Sequence, residues 1–317
     1  MRAPLRRLWL LIHRWIGLAL GPILALTALL GAVLVVALPL DRHAHPALFT
    51  ARSAGDAAQP LEPLRQRLAA EFGPDANFTL RPPRQPGDTL WVLVRGKWDG
   101  TLYLDPATGA EQGRRGTHEG AYNLLFELHS TGGAVLGLLL AVSVATGAYM
   151  AWRPLGNFIS GAMGQQPLKP PVIAKGAASG PRLPLDALVA RAQQAFPGQP
   201  IGYIQVPGQS GRPVRVRFRL PDDPHPNGIG SVWLNPATGE VLAARKWQDL
   251  DTGNGAVAVI YPLHTGALGG LPHQVLTALL GLALGGLGLS GIWLWWRRRA
   301  ATARHSFISR KPEGGIP

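Results

Sequence analysis

The sequence predicts an α+β membrane protein with three transmembrane helices, or four if a weaker apolar stretch also crosses, and two small α+β units outside the lipid. Three observations carry that prediction. Apolar runs of membrane length recur near the start, the middle and the end of the chain. Two polar stretches between them each read as an amphipathic helix followed by alternating strands. A strand-turn phrase and a leucine-histidine pair occur twice, each time ahead of an apolar run.

Composition narrows the chemistry. Of 317 residues, 46% are apolar and 15% are charged, against the ~25% charged residues of soluble domains. Cysteine is absent, which excludes disulfides, thiolate zinc sites, iron–sulfur clusters and cysteine nucleophiles. Metal or haem ligation would fall to His, Met, Tyr or carboxylates. The net charge of +13 raises the question of nucleic acid, but its distribution argues for a bilayer. Arg2, Arg6, Arg7 and Arg14 precede one apolar run, and Arg297, Arg298 and Arg299 follow another. That is how helices anchor at anionic headgroups. No zinc-finger spacing or RNA-binding aromatic motif accompanies the charge, so no nucleic acid partner is expected.

Residues 1–40 read as an N-terminal transmembrane helix. The apolar stretch is about twice the 7–15 residues of a signal peptide and no A-x-A site follows, which favours an uncleaved anchor. Residues 41–120 form the first α+β unit. Its helix spans 61–72, and its strands are expected at 89–95 and 101–104. Residues 121–153 hold the second transmembrane helix, with Glu127 and His129 at one end and Arg153 at the other. Residues 154–184, rich in Gly, Pro, Lys and Ala, read as a linker. Residues 185–258 repeat the first unit, with a helix at 185–196 and strands at 213–220 and 231–234. Residues 259–299 contain the third transmembrane helix, which exits through Trp293, Trp295 and Trp296 into arginines. Residues 300–317 are a basic tail. Gly17 and Gly21, Gly133 and Gly137, and Gly281 and Gly285 stand four apart, a spacing that lets helix backbones approach.

The histidines are the candidate ligands. His13, His129 and His264 each lie near an expected membrane boundary, where an ionisable group is costly without a role. The plain alternative is an interfacial ring hydrogen-bonded to a headgroup or a carbonyl. His273 lies nine residues beyond His264. His43, His45, His118, His225 and His305 read as surface histidines. Glu127 reads either as the orienting partner of a nearby imidazole or as a solvated carboxylate. Arg215, Arg217 and Arg219 alternate along one strand face, as a dock for an anion or as a solvated, aggregation-resistant face.

The segment His13-Arg14-Trp15-Ile16-Gly17 resembles the opening of the PepSY-associated transmembrane helix family. Leu128-His129, Thr146-Gly147 with Trp152, Pro262-Leu263-His264-Thr265-Gly266 and Ser290-Gly291 with Trp293 and Arg297 are similar to its other elements. The two polar units look like PepSY domains. The resemblance implies a bacterial inner-membrane, multi-pass protein with at least the first PepSY-like domain periplasmic. It implies haem b held by helix histidines, with His129, His264, His13 and His273 as candidates and their pairing open. It implies an electron-transfer function like that of ferric-siderophore or iron reductases. No nucleotide fingerprint is present, so electrons would come from a quinol or a protein donor, and a ferric siderophore is an expected partner. The alternative is a membrane-anchored PepSY binding or regulatory module without redox chemistry. A hydrolase is disfavoured, because neither a nucleophile elbow nor H-E-x-x-H occurs.

With one transmembrane helix per repeat, the two units are expected on opposite faces of the membrane. The two short basic termini, which both belong inside, demand an even number of crossings instead. Residues 256–272 or 154–164 are the candidates for extra insertion.

Overall fold

The computed structural model describes residues 3–53, 59–139, 157–158, 161–164, 169–173, 180–209 and 211–308. The far half of the second predicted transmembrane helix, residues 140–152, lies outside these, as does about half of the linker.

The chain opens with a 42-residue helix, Ala3–Ala44 (α1). At 1.5 Å per residue it is about 63 Å long, roughly twice the hydrocarbon thickness. A short turn of helix, Pro46–Phe49 (α2), leads to Leu61–Phe72 (α3). Four strands follow: Asn77–Arg81 (β1), Leu90–Arg95 (β2), Gly100–Leu104 (β3) and Glu111–Gly116 (β4). Ala121–Leu139 (α4) then leaves the sheet. The second repeat has Leu185–Ala195 (α5), Ile201–Val206 (β5), Val214–Phe218 (β6), Gly230–Leu234 (β7) and Val241–Arg245 (β8). Thr252–His264 (α6), a 3₁₀ turn at Ala267–Gly269 and Gly270–Ile308 (α7) complete it.

The expected helices form at 61–72 and, one residue shorter, at 185–195. The expected strands form within one or two residues of their predicted limits. Four more strands, β1, β4, β5 and β8, were not expected. β4 (Glu-Gln-Gly-Arg-Arg-Gly) has no apolar alternation at all, and its place is set by main-chain pairing to β3.

The two units are not separate sheets. β1 pairs antiparallel with β5 through Phe78 with Val206, Thr79 with Gln205 and Leu80 with Ile204. The result is one eight-stranded sheet in the order β4-β3-β2-β1-β5-β6-β7-β8. One face packs on α3 and α5 around a single core that includes Leu64, Leu68, Leu80, Leu188, Ile204 and Phe218. The helix starts are capped across the repeat. Pro60 and Pro184 hold the N-cap positions and have no side chain able to accept. The Asp186 carboxylate accepts from the amides of Leu61 and Glu62, each at 2.8 Å, while Glu62 accepts from the amide of Leu185 at 2.8 Å. Each repeat thus satisfies orphan amides of the other.

A paired sheet cannot be divided by a bilayer, whose core leaves exposed strand edges unsatisfied. Both units therefore lie on one side, and the expectation that they face opposite sides is overturned. Residues 256–272 are not an extra crossing. Asp251 caps α6 by accepting from Asn254 N at 2.8 Å, and α6 ends at His264. Gly266 then turns the chain in the left-handed region at φ 74° and α7 begins at Gly270.

Leu20–Ala44 in α1 and Ala267–Arg297 are the two described stretches long and apolar enough to span a membrane. Only 6% of the best window of the second is buried, so it is not the core helix of a soluble fold. Leu276, Leu280, Leu287 and Trp296 on it are exposed, which suits lipid and not water. α1 and α7 pack antiparallel through small residues. A Cβ at Gly281 would lie 2.8 Å from Ala28 O, and one at Gly288 would lie 2.5 Å from Ala25 Cβ. Gly285 similarly abuts Leu29. Of the predicted glycine pairs, Gly281 with Gly285 makes this contact; Gly21 and Gly133 meet nothing within 4 Å.

The absence of cysteine makes the helix contact directly testable. A Cβ at Gly281 falls 3.1 Å from Ala32 Cβ, near the ~3.8 Å typical across a disulfide. Oxidation of the A32C/G281C protein is expected to give an internal disulfide, and that of A32C/G291C is not, as read by mass spectrometry of proteolytic fragments. The crossed caps predict that Asp186→Ala lowers stability by about 0.5–2 kcal/mol in thermal unfolding. The Glu62 carboxyl is held below its ordinary value of 4.5, by the Arg65 hydrogen bond first, against the opposing effect of burial. Its contribution is complete above that value and fades as pH falls below it toward the depressed folded value. The stability difference between wild type and Glu62→Gln should shrink over that acid range.

Candidate ligand site at the head of the bundle

The second face of the sheet looks toward the helix bundle. Strand alternation places Arg81, Trp91, Arg95, Tyr103 and Arg115 on it in the first repeat, and Tyr203, Arg215, Arg217, Trp233 and Arg245 in the second. Arg215 donates to Ser231 Oγ at 2.8 Å and lies over the Trp233 ring at 4.8 Å. Arg217 donates to the Tyr203 hydroxyl at 2.5 Å. Two of the three arginines in the predicted stripe thus serve neighbours on the same face.

The end of α1 is clamped to this face by two ion pairs. Asp41 meets Arg115 of β4 at 2.6 Å, and Arg42 meets Asp88 of the β1–β2 connection at 2.9 Å. Both partners of the first pair are largely buried. Removing either alone strands a charge, which in buried pairs costs about 3–5 kcal/mol. The clamp sets the height of α1 against the sheet, and with it the height of everything packed on α1.

His129 packs on α1 below the clamp. Its Nδ1 lies 2.9 Å from Thr27 O. A carbonyl only accepts, so Nδ1 carries a proton in this bond, and in the neutral ring Nε2 is the nitrogen with the lone pair. Gly31 makes room for the ring: a Cβ there would lie 2.8 Å from His129 Cε1. Gly132, one turn further along α4, allows the same approach beside Thr27. His264, at the end of α6, brings its ring to 6.2 Å from that of His129, centroid to centroid, with the planes 37° apart. The structure thus joins two of the four predicted ligands.

The other two stand apart. Fourteen residues of helix, about 21 Å, separate His13 from Thr27, and the His13 side chain lies outside the described residues. His273 sits in the first turn of α7 against the turn at Gly269, where a Cβ would meet its own Cβ at 2.7 Å. Glu127 pairs with His118 at 2.7 Å and not with His129. His225, expected on the surface, is half-buried and stacks on Tyr261 at 4.9 Å. Burial first, then the Arg217 and Arg84 cations, push it down to about 4, so it is neutral at pH 7. Thr27 and Gly31 were invisible as site residues, because in sequence they are ordinary members of an apolar run.

A family model described as the PepSY-associated TM region matches this chain twice, over residues 10–157 and 114–298. This chain belongs to the PepSY-associated TM region family. Comparison with curated proteins returned no match. The two family matches overlap on α4, so that helix closes the first repeat and opens the second. PepSY-associated membership and the two apolar helices make this a membrane protein. Among the described residues no group of three or more His, Asp or Glu converges as a metal site.

The packing of His129 predicts a contrast between two glycines. Gly133→Ala meets nothing within 4 Å and is expected to stabilise α4 by about 0.5–1 kcal/mol. Gly31→Ala pushes into His129 and is expected to lower the unfolding temperature in detergent. Equal responses of the two variants would contradict the placement of His129.

Proposed function

We propose that this chain is an integral membrane haem-binding electron-transfer protein, related in function to ferric-siderophore or iron reductases, with haem b held by His129 and His264. The observation that carries the reading is the His129–His264 pair. Two imidazoles from different helices face each other across 6.2 Å inside the apolar bundle, and one is fixed by Thr27 as the tautomer with a free Nε2. Ligating histidines characteristically donate their other ring N–H in this way. Imidazole–metal bonds are about 2 Å long, so a ring separation near 6 Å suits two rings sharing one metal. No third protein ligand converges among the described residues. That favours a macrocycle, which needs only two axial ligands, over a zinc site built from side chains.

When bound, haem supplies one-electron transfer, at a potential set by its axial ligands and burial. The chain's residues do the rest. Thr27 orients His129, Gly31 admits its ring, and the clamp at Asp41 and Arg115 holds α1 at the height that brings them together. His13 is too distant along α1 to share an iron with His129.

The antiparallel packing of α1 on α7 places the arginines before the first helix and those after the last at the same end of the bundle, away from the sheet. By the positive-inside rule that end is cytoplasmic, which makes the sheet periplasmic in a bacterial inner membrane. A quinol or a protein donor would reach the bundle from the membrane or the cytoplasm, and a ferric siderophore would be reduced on the sheet side.

The test is a dithionite-reduced absorption spectrum of the purified protein. Wild type and His13→Ala should show the α-band of a b-type haem, and His129→Ala and His264→Ala should each lose it. Wild-type protein without the band, expressed with sufficient haem, would sink this reading. The second reading, an anchored binding module without redox chemistry, draws on the cavity described next.

A further inference from the structure

Between the sheet and the head of the bundle lies a cavity of about 630 Å³. Its walls are the end of α1, the membrane-facing side of β1–β4, the start of α4 and one turn of α6. Its charges do not balance. Arg42 is matched by Asp88, Arg115 by Asp41 and His118 by Glu127. Arg81, Arg84 and Arg95 line the same cavity and have no carboxylate partner among the described residues. Arg95 donates to Thr117 Oγ1 at 2.9 Å, and Arg84 donates to the Asn227 amide oxygen. Arg219, the member of the stripe that serves no neighbour on the sheet face, approaches Arg84 from the second repeat. Burial, then the Arg219 and Arg81 cations, push Arg84 below the ordinary arginine value.

Arg81 Nε and Arg219 Nε are buried and make no hydrogen bond among the described residues. Buried donors without acceptors are unfavourable, and like charges add to that. Guanidinium groups gathered this way fit the oxygens of a phosphate or carboxylate, which they bind through paired N–H donors. The lining also carries aromatic side chains, Phe49, Trp91, Tyr122, Phe126 and Tyr261, among further polar ones. Tyr261 stands one turn before His264 in α6, and Arg42 follows the apolar run of α1. The cavity therefore sits at the boundary between lipid and water.

We propose that this cavity binds an organic anion, its phosphate or carboxylate held by Arg81, Arg84 and Arg95 and its apolar body against Tyr122, Phe126 and Tyr261. The site is made by both repeats, since the three arginines come from one and Asn227 and Tyr261 from the other. It stands whether or not haem binds. The same chemistry is offered by an anionic lipid and by a soluble organic acid, and the experiment separates them.

Full-length protein in neutral detergent is titrated with short-chain phosphatidylglycerol, with phosphatidylcholine of the same chain length, and with citrate, by calorimetry. Wild type is expected to bind phosphatidylglycerol or citrate, and phosphatidylcholine at least tenfold more weakly. Binding of phosphatidylglycerol alone identifies a lipid site; binding of citrate alone identifies a soluble ligand. Arg81→Gln with Arg84→Gln is expected to weaken binding of the probe at least tenfold, and lysine at both positions to restore part of it. Arg212→Gln with Lys246→Gln removes two exposed cations elsewhere on the sheet and should leave binding unchanged. Absence of binding by both anions overturns the proposal. So does equal weakening by the two double variants, which would mean charge alone is sensed.

Discussion

The pairing of β1 with β5 is the constraint on which the other features depend. Three residue pairs, Phe78 with Val206, Thr79 with Gln205 and Leu80 with Ile204, join two four-stranded meanders into one sheet. Neither meander has to bury that edge by other means. α3 and α5 then share one core, and their first-turn acids stand close enough to cap each other's helices. A sheet made this way stays on one side of the bilayer. From that follows the meeting of α4 with α6 beneath the sheet.

The bundle is held to the sheet by different physics. Within lipid there is no hydrophobic drive between helices, so contact relies on close packing and on polar groups. α7 meets α1 through Gly281, Gly285 and Gly288, and α4 meets it through Gly132 and the His129 bond to Thr27. At the water boundary the ion pairs of Asp41 and Arg42 take over. These contacts run along α1 from Ala25 to Arg42, beside which His129, His264 and the arginine-lined cavity gather. The electron-transfer reading and the anion site occupy adjacent ground: Glu127 and Ser130, on either side of His129, line the cavity.

Much of the local structure was legible. Apolar periodicity located α3 and α5, and alternation located β2, β3, β6 and β7, because those elements bury one face against a common core. β4 and β8 were not legible, since they are edge strands placed by main-chain bonds and show no apolar alternation. The repeated Leu-His pairs marked His129 and His264 as equivalent. Thr27 and Gly31 gave no signal, because a backbone carbonyl and a missing side chain acquire meaning only when another helix lies against them.

By itself the sequence determined the membrane class, the duplication, the family and the candidate histidines. The class, the duplication and the histidine positions follow from composition, hydropathy and spacing, and the family from a resemblance of short motifs; all are properties of neighbours along the chain. Only the tertiary structure decided that both repeats share one sheet, which histidines meet, and which arginines lack an acid among the described residues. Those outcomes depend on pairings 100 residues or more apart, such as Thr27 with His129 and Leu80 with Ile204, and no local pattern encodes the register in which distant segments dock.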